Sequence, residues 1–235
     1  MEWFDAIAAR ARPATVEVAL GAPQLTIVLL LALIVVITPP VWQVVRLGVT
    51  LVHELGHAGV GILVGRRFTG FVLRGDMSGH AVTRGPARGA GRIASTWAGY
   101  PMPALLGAAV VWAALRGWSA PVITAMIAIL VLALIRVRSA LTVLVVLAAL
   151  AWLGALWWWR SDTLQPQVLL GLGCVLLVGA WRHLSAVLGD RGSGSDPAVL
   201  AALSHLPRVV WSASFVLVCA VSTWVVGVEL LHALR

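Results

Sequence analysis

The sequence predicts an all-α polytopic membrane protein of about seven transmembrane helices, with a small β-hairpin on the cytoplasmic side after the second of them. Three observations carry that fold class. The 235 residues are 60% hydrophobic and 11% charged, with a mean hydropathy of +0.97, whereas a soluble domain carries about 25% charged residues. Apolar runs long enough to cross a bilayer recur along the chain. The few charges collect in the segments between those runs. A disulfide scaffold is excluded, because Cys174 and Cys219 both lie within apolar runs.

The runs fall at about 22–38, 41–64, 93–115, 118–135, 140–159, 167–188 and 208–232. Pro39 and Pro40 close the first, since proline ends a helix and disfavours helical geometry in the residue before it, so the pair reads as a tight turn into the second run. Arg116 and Gly117 leave only a tight connection between the third and fourth. One integral membrane domain over 1–235 is expected, with an N-terminal cytoplasmic segment (1–21), two spans (22–64), a hairpin loop (65–92), four spans (93–188), a loop with a short helix (189–207) and a last span (208–235). No signal peptide is expected, because Glu2, Asp5 and Glu17 precede the first run and Pro-Pro-Val follows it.

The net charge of +8 comes from 17 Arg; the sequence has no Lys and no Asn, which suggests a high-GC coding source. A basic balance can signal nucleic acid, but here the arginines sort by side of the membrane. With the N-terminus placed in the cytoplasm, Arg10, Arg12, the six arginines of the 65–92 loop, Arg136, Arg138, Arg182, Arg191 and Arg208 lie inside. Only Arg116, Arg160 and Arg235 lie outside. Trp42, Trp118 and Trp157 to Trp159 then fall at outer ends, and Trp97, Trp181 and Trp211 near inner ends, where amphipathic rings meet headgroups. Arg46 and Glu229 lie in or near apolar runs and are expected to pair or to snorkel.

The 65–92 loop contains seven Gly and the alternating stretches Phe71-Val72-Leu73 and His80-Ala81-Val82-Thr83, a hairpin or edge-strand pattern. It suits either strand addition by an unwound substrate or binding of anionic lipid. Further on, Gly189 to Asp196 reads as a loop into a short helix from Pro197 to about His205.

The chemistry-bearing motif is His53-Glu54-Leu55-Gly56-His57, an H-E-x-x-H in the second run. Residues four apart share a helical face, so two imidazoles can hold one metal ion while Glu54 reaches a water beside it. With six His and four Glu in the chain, chance yields this pattern about 0.003 times, so it is treated as a site. Ionisable groups in an apolar span are costly and need a common partner; imidazole and carboxylate donors with one open position suit Zn²⁺. Zinc there would polarise a peptide carbonyl, with Glu54 as general base and acid. A third ligand is required from the cytoplasmic half, where Asp76, Asp190 and Asp196 are the acids and His80, His183 and His205 the imidazoles. Asp196, before Pro197, also reads as a helix N-cap.

The motif, Ser78-Gly79, the stretch Ala98-Gly99-Tyr100-Pro101 to Leu106-Gly107, and the late Ser195-Asp196-Pro197-Ala198 with Leu206-Pro207 and Trp211 resemble the bacterial branch of the site-2 protease family, the peptidase M50B-like group. The resemblance implies an intramembrane zinc metalloprotease of a bacterial plasma membrane that cleaves membrane-spanning proteins near the cytoplasmic face. It implies His53, His57 and Asp196 as zinc ligands and Glu54 as the catalytic base. The expected partners are a membrane-protein substrate and the bilayer, with no nucleic acid. The alternative is a catalytically inactive scaffold that binds membrane helices. A metal transporter fits less well, because spans four to six carry almost no polar groups.

Overall fold

The computed structural model describes residues 2–15, 20–189 and 192–234. A short helix α1 (Glu2–Ala11) precedes α2 (Ala22–Ile37) and α3 (Pro39–Leu63), and the strands β1 (Arg67–Leu73) and β2 (Gly79–Arg84) follow. The remainder is helical: α4 (Ala90–Trp97), α5 (Pro101–Leu115), α6 (Ser119–Leu134), α7 (Ala140–Trp158), α8 (Leu164–Gly189), α9 (Asp196–Ser204) and α10 (Arg208–Ala233).

The helices fall where the apolar runs predict, but seven separate spans do not result. Among the described residues α7, α8 and α10 are each long and apolar enough to cross a membrane. α2 and α3 meet at 97° and α4 and α5 at 61°; each pair taken as one broken span gives up to five, and α6 is a shorter apolar helix. Proline causes both breaks. Thr38, extended at φ −86° and ψ 107°, joins α2 to the Pro39 that starts α3, and Pro101 starts α5; a proline has no N–H to continue the preceding helix.

The bend at Thr38 changes what lies beside what. α2 runs alongside α8, with Leu25 and Val28 packed at Leu170 and Ala32 in one cluster with Val175. Farther along, the Arg182 guanidinium donates to Val36 O at 2.8 Å and covers the Trp42 ring at 4.3 Å. Trp42 is therefore buried beside Arg182, not at an outer end as expected. α5 packs on α8 almost backbone to backbone: a Cβ on Gly107 would stand 2.7 Å from Gly173 O, the close approach that small residues permit between membrane helices.

The hairpin forms as predicted, antiparallel from Arg67 opposite Arg84 to Leu73 opposite Gly79, with an irregularity between Phe68 and Gly70. It docks on the α6–α7 connection, where Phe71 N donates to Arg136 O and Arg138 N to Phe71 O, both at 3.1 Å. Leu73 N donates to Thr142 Oγ1 at 2.7 Å.

The N-terminal segment lies at the other end of the same helix. Arg10 Nε donates to Trp158 O at 3.3 Å, Ala14 N to Gly117 O at 2.8 Å, and Arg160 binds the carbonyls of Ala9 and Arg12. Thr142 and Trp158 are 16 residues apart on α7, about 24 Å at 1.5 Å per residue. So α1 sits with Arg116 and Arg160, at the end opposite the hairpin. The sequence expectation put the N-terminal segment and the hairpin on one side, whereas they lie at opposite ends of α7; the bent α2–α3 pair, taken as one broken span, accounts for the difference. Glu229 pairs with Arg116 at 2.8 and 3.0 Å, not with Arg46.

Candidate functional site

α3 carries the H-E-x-x-H motif across the hairpin end of the bundle, and α4, α5, β2, α8 and α9 close around it. His53 and His57, one turn apart, bring their Nε2 atoms to 3.0 Å. Asp196 Oδ2 lies 3.4 Å from His53 Nε2 and 3.2 Å from His57 Nε2. The three side chains are largely buried, at 13%, 13% and 19% exposure, and form one cluster with donor atoms suited to a metal ion.

The tautomer of His57 is fixed by its surroundings. Its Nδ1 lies 2.8 Å from Ser95 O, and a carbonyl can only accept, so Nδ1 carries the proton and Nε2 presents a lone pair. The end of α4 leaves its last carbonyls without intrahelical partners, which frees Ser95 O for this bond. In return Ser95 Oγ donates to His57 O at 2.9 Å. His53 is held edge-on by Tyr100 at 4.8 Å, and Tyr100 stacks on Phe215 at 5.2 Å.

With His57 neutral, the Nε2 lone pair and the carboxylate oxygen repel unless a proton or a metal cation lies between them, and the cluster is placed to share one metal ion. The triangle of 3.0, 3.2 and 3.4 Å fits Zn²⁺, whose bonds of roughly 2.0–2.1 Å in a tetrahedron put neighbouring donors about 3.4 Å apart. The Nδ1–H to carbonyl bond of His57 is also the usual support behind a metal-ligating imidazole.

Asp196 is not the N-cap that Asp-Pro suggested. Ser195 holds that position, its carbonyl accepting from Ala198 N and Val199 N, and Asp196 is the first helical residue, ahead of Pro197.

Glu54 is 4% exposed and packs against the first residue of β2: a Cβ on Gly79 would lie 2.7 Å from Glu54 Cγ. Gly99, in the break between α4 and α5, covers the imidazoles in the same way, with a would-be Cβ 2.7 Å from His53 Nε2. Thr50 Oγ1 donates to Met77 O at 3.0 Å and ties α3 to the hairpin turn. A cavity of about 260 Å³ opens on His53, Glu54 and Asp196, with Arg46, Met77 and His183 on its walls.

The other candidate ligands lie outside the cluster. Asp76 is exposed and accepts from Ser78 N at 3.0 Å and Ser78 Oγ at 2.6 Å, bonds that hold its carboxyl below the usual range. His80 is exposed, and His205 ends α9 at φ 61°. His183 is nearer, its ring 6.4 Å from that of His53, but outside bonding range. Asp190 lies outside the described residues. No local pattern signals Ser95, whose contribution is a main-chain carbonyl, or the close approach that Gly79 and Gly99 permit.

Fold and cluster together define a helical membrane protein with a buried His/His/Asp metal-type site beside a carboxylate. The chain matches the Peptidase M50B-like family over residues 26–226, from α2 into α10, and belongs to that family. No curated protein and no solved structure matches it.

Proposed function

We propose that the protein is a zinc-dependent intramembrane endopeptidase that hydrolyses peptide bonds of membrane-spanning substrates at the hairpin end of the bundle. The observation that carries this reading is the triangle of His53, His57 and Asp196 with buried Glu54 alongside. Zinc held by those three side chains would supply Lewis acidity, polarising the scissile carbonyl and acidifying water. Glu54 takes the proton of the attacking water at its carboxylate and delivers it to the leaving amine. The Ser95 carbonyl keeps the His57 ring in its ligating orientation, and Gly79 and Gly99 let the hairpin and the α4–α5 break pack directly on Glu54 and the imidazoles. β2 begins at Gly79, so a substrate strand added along it would run its main chain toward Glu54.

The hairpin end carries Arg66, Arg67, Arg74, Arg84, Arg88, Arg92, Arg136 and Arg138, a bias that by the positive-inside rule supports a cytoplasmic hairpin end; the membrane in this reading is a bacterial plasma membrane. The N-terminal segment then faces the opposite side.

The direct test is cleavage of a single-span substrate by the purified protein in lipid vesicles. Cleavage is expected to stop on chelation and to return with stoichiometric zinc. Chelator-insensitive cleavage would overturn the zinc reading. A zinc-loaded protein that binds membrane helices but cuts none of a panel of them would be a scaffold.

Gly99→Ala tests the geometry. Its methyl group would intrude on both imidazoles, so the variant is expected to lose zinc in a metal-content assay while keeping its helical circular dichroism. Full zinc occupancy would show that the ligands lie elsewhere.

A further inference from the structure

We propose that a second cavity, of about 830 Å³ between the hairpin and the α6–α7 connection, binds the phosphate headgroup of an anionic phospholipid. Four arginines line it: Arg67 and Arg84 from the strands, Arg136 and Arg138 from the connection. Arg67 and Arg84 stand directly opposite each other in the antiparallel register. Like charges in that position repel and weaken a sheet unless something neutralises them.

No carboxylate does so among the described residues, where the acids in ion pairs are Asp162, Asp196 and Glu229, none of them at this cavity. Arg138 is partly engaged, its Nη2 donating to Thr69 O at 2.6 Å. The planar guanidinium fork matches phosphate oxygens in pairs, so these four arginines suit an anion of that shape.

The surroundings choose a lipid over a free ion. The cavity lies at the end of the apolar helix α6, beside Ile135 at 68% exposure and close to the end of α3, where Leu63 is 84% exposed. Phosphate among the arginines with acyl chains along Ile135 and Leu63 satisfies both surfaces at once, as basic clusters next to membrane helices do with anionic lipid. The site is separate from the His/His/Asp cluster and stands whether or not the protein is a protease.

The test uses the full-length protein in phosphatidylcholine nanodiscs and measures association of spin-labelled phosphatidylglycerol relative to spin-labelled phosphatidylcholine. The wild type is expected to prefer phosphatidylglycerol. Arg84→Gln with Arg136→Gln should weaken that preference on the order of thirtyfold, from the typical contribution of each arginine near a membrane surface. Arg74→Gln with Arg88→Gln removes the same charge from exposed positions outside the cavity and should leave most of the preference intact. An equal loss in both double variants would mean diffuse surface attraction and would overturn the site. So would a wild type without preference, or displacement of the labelled lipid by millimolar inorganic phosphate.

Discussion

Glu54→Gln is expected to retain zinc as the wild type does and to cleave roughly 10²–10⁴-fold more slowly, the usual worth of a positioned general acid–base group. The substitution keeps the shape of the side chain, so the packing between Glu54 and Gly79 survives and the hairpin stays seated. Only the ability to take up a proton is lost. Paired measurements of zinc content and single-turnover cleavage separate the two properties. A variant that cuts at the wild-type rate would remove Glu54 from the mechanism and leave its burial without a catalytic purpose.

Asp196→Asn is expected to weaken zinc binding by more than the 10–100-fold typical of losing a residue that merely supports a ligand. Its effect on folding should be small. Asp196 occupies the first helical position of α9 and Ser195 the cap, so outside the cluster the change removes a favourable charge–dipole contact of about 0.3–1 kcal/mol. Asp76→Asn serves as the control, since Asp76 is bound to Ser78 outside the cluster and its loss should leave zinc stoichiometry unchanged. If both variants bind one zinc with wild-type affinity, the third ligand is another residue.

The motif on α3 was legible because helical periodicity alone puts residues 53 and 57 on one face. The third member was not legible from local pattern. Asp-Pro at a helix start satisfies a capping rule, and only resemblance to a family pointed from Asp196 across more than 130 residues to His53. The helix positions were equally plain from hydropathy, whereas their directions were not. An apolar run reports the medium around a helix and says nothing of the angle at which the next begins. Pro39 announced a break, while Pro101 passed unmarked inside the run 93–115; whether a break turns the chain back or merely bends it depends on packing, here on Arg182 holding Val36 and Trp42 to α8. That ambiguity is why the N-terminal segment and the hairpin, expected on one side, lie at opposite ends of α7. Gly79 and Gly99 were invisible as functional positions for a simpler reason: what they contribute is the absence of a side chain.

Gly79 also makes the surroundings of the Glu54 carboxylate depend on counting. Successive residues of a strand face opposite ways, and slippage by one position exchanges the faces. In the observed alignment the residue lying over Glu54 has nothing to project. Its neighbours in sequence are Ser78 and His80, and either in its place would fill the space above the carboxylate. The irregularity at Phe68 and Gly70, together with the Arg74 to Ser78 closure of the turn at 2.9 Å, keeps the strands from sliding. Removing one residue from the 74–78 turn is expected to leave every proposed zinc ligand in place and to press a side chain against Glu54, so the hairpin works as a ruler for what lies on that carboxylate.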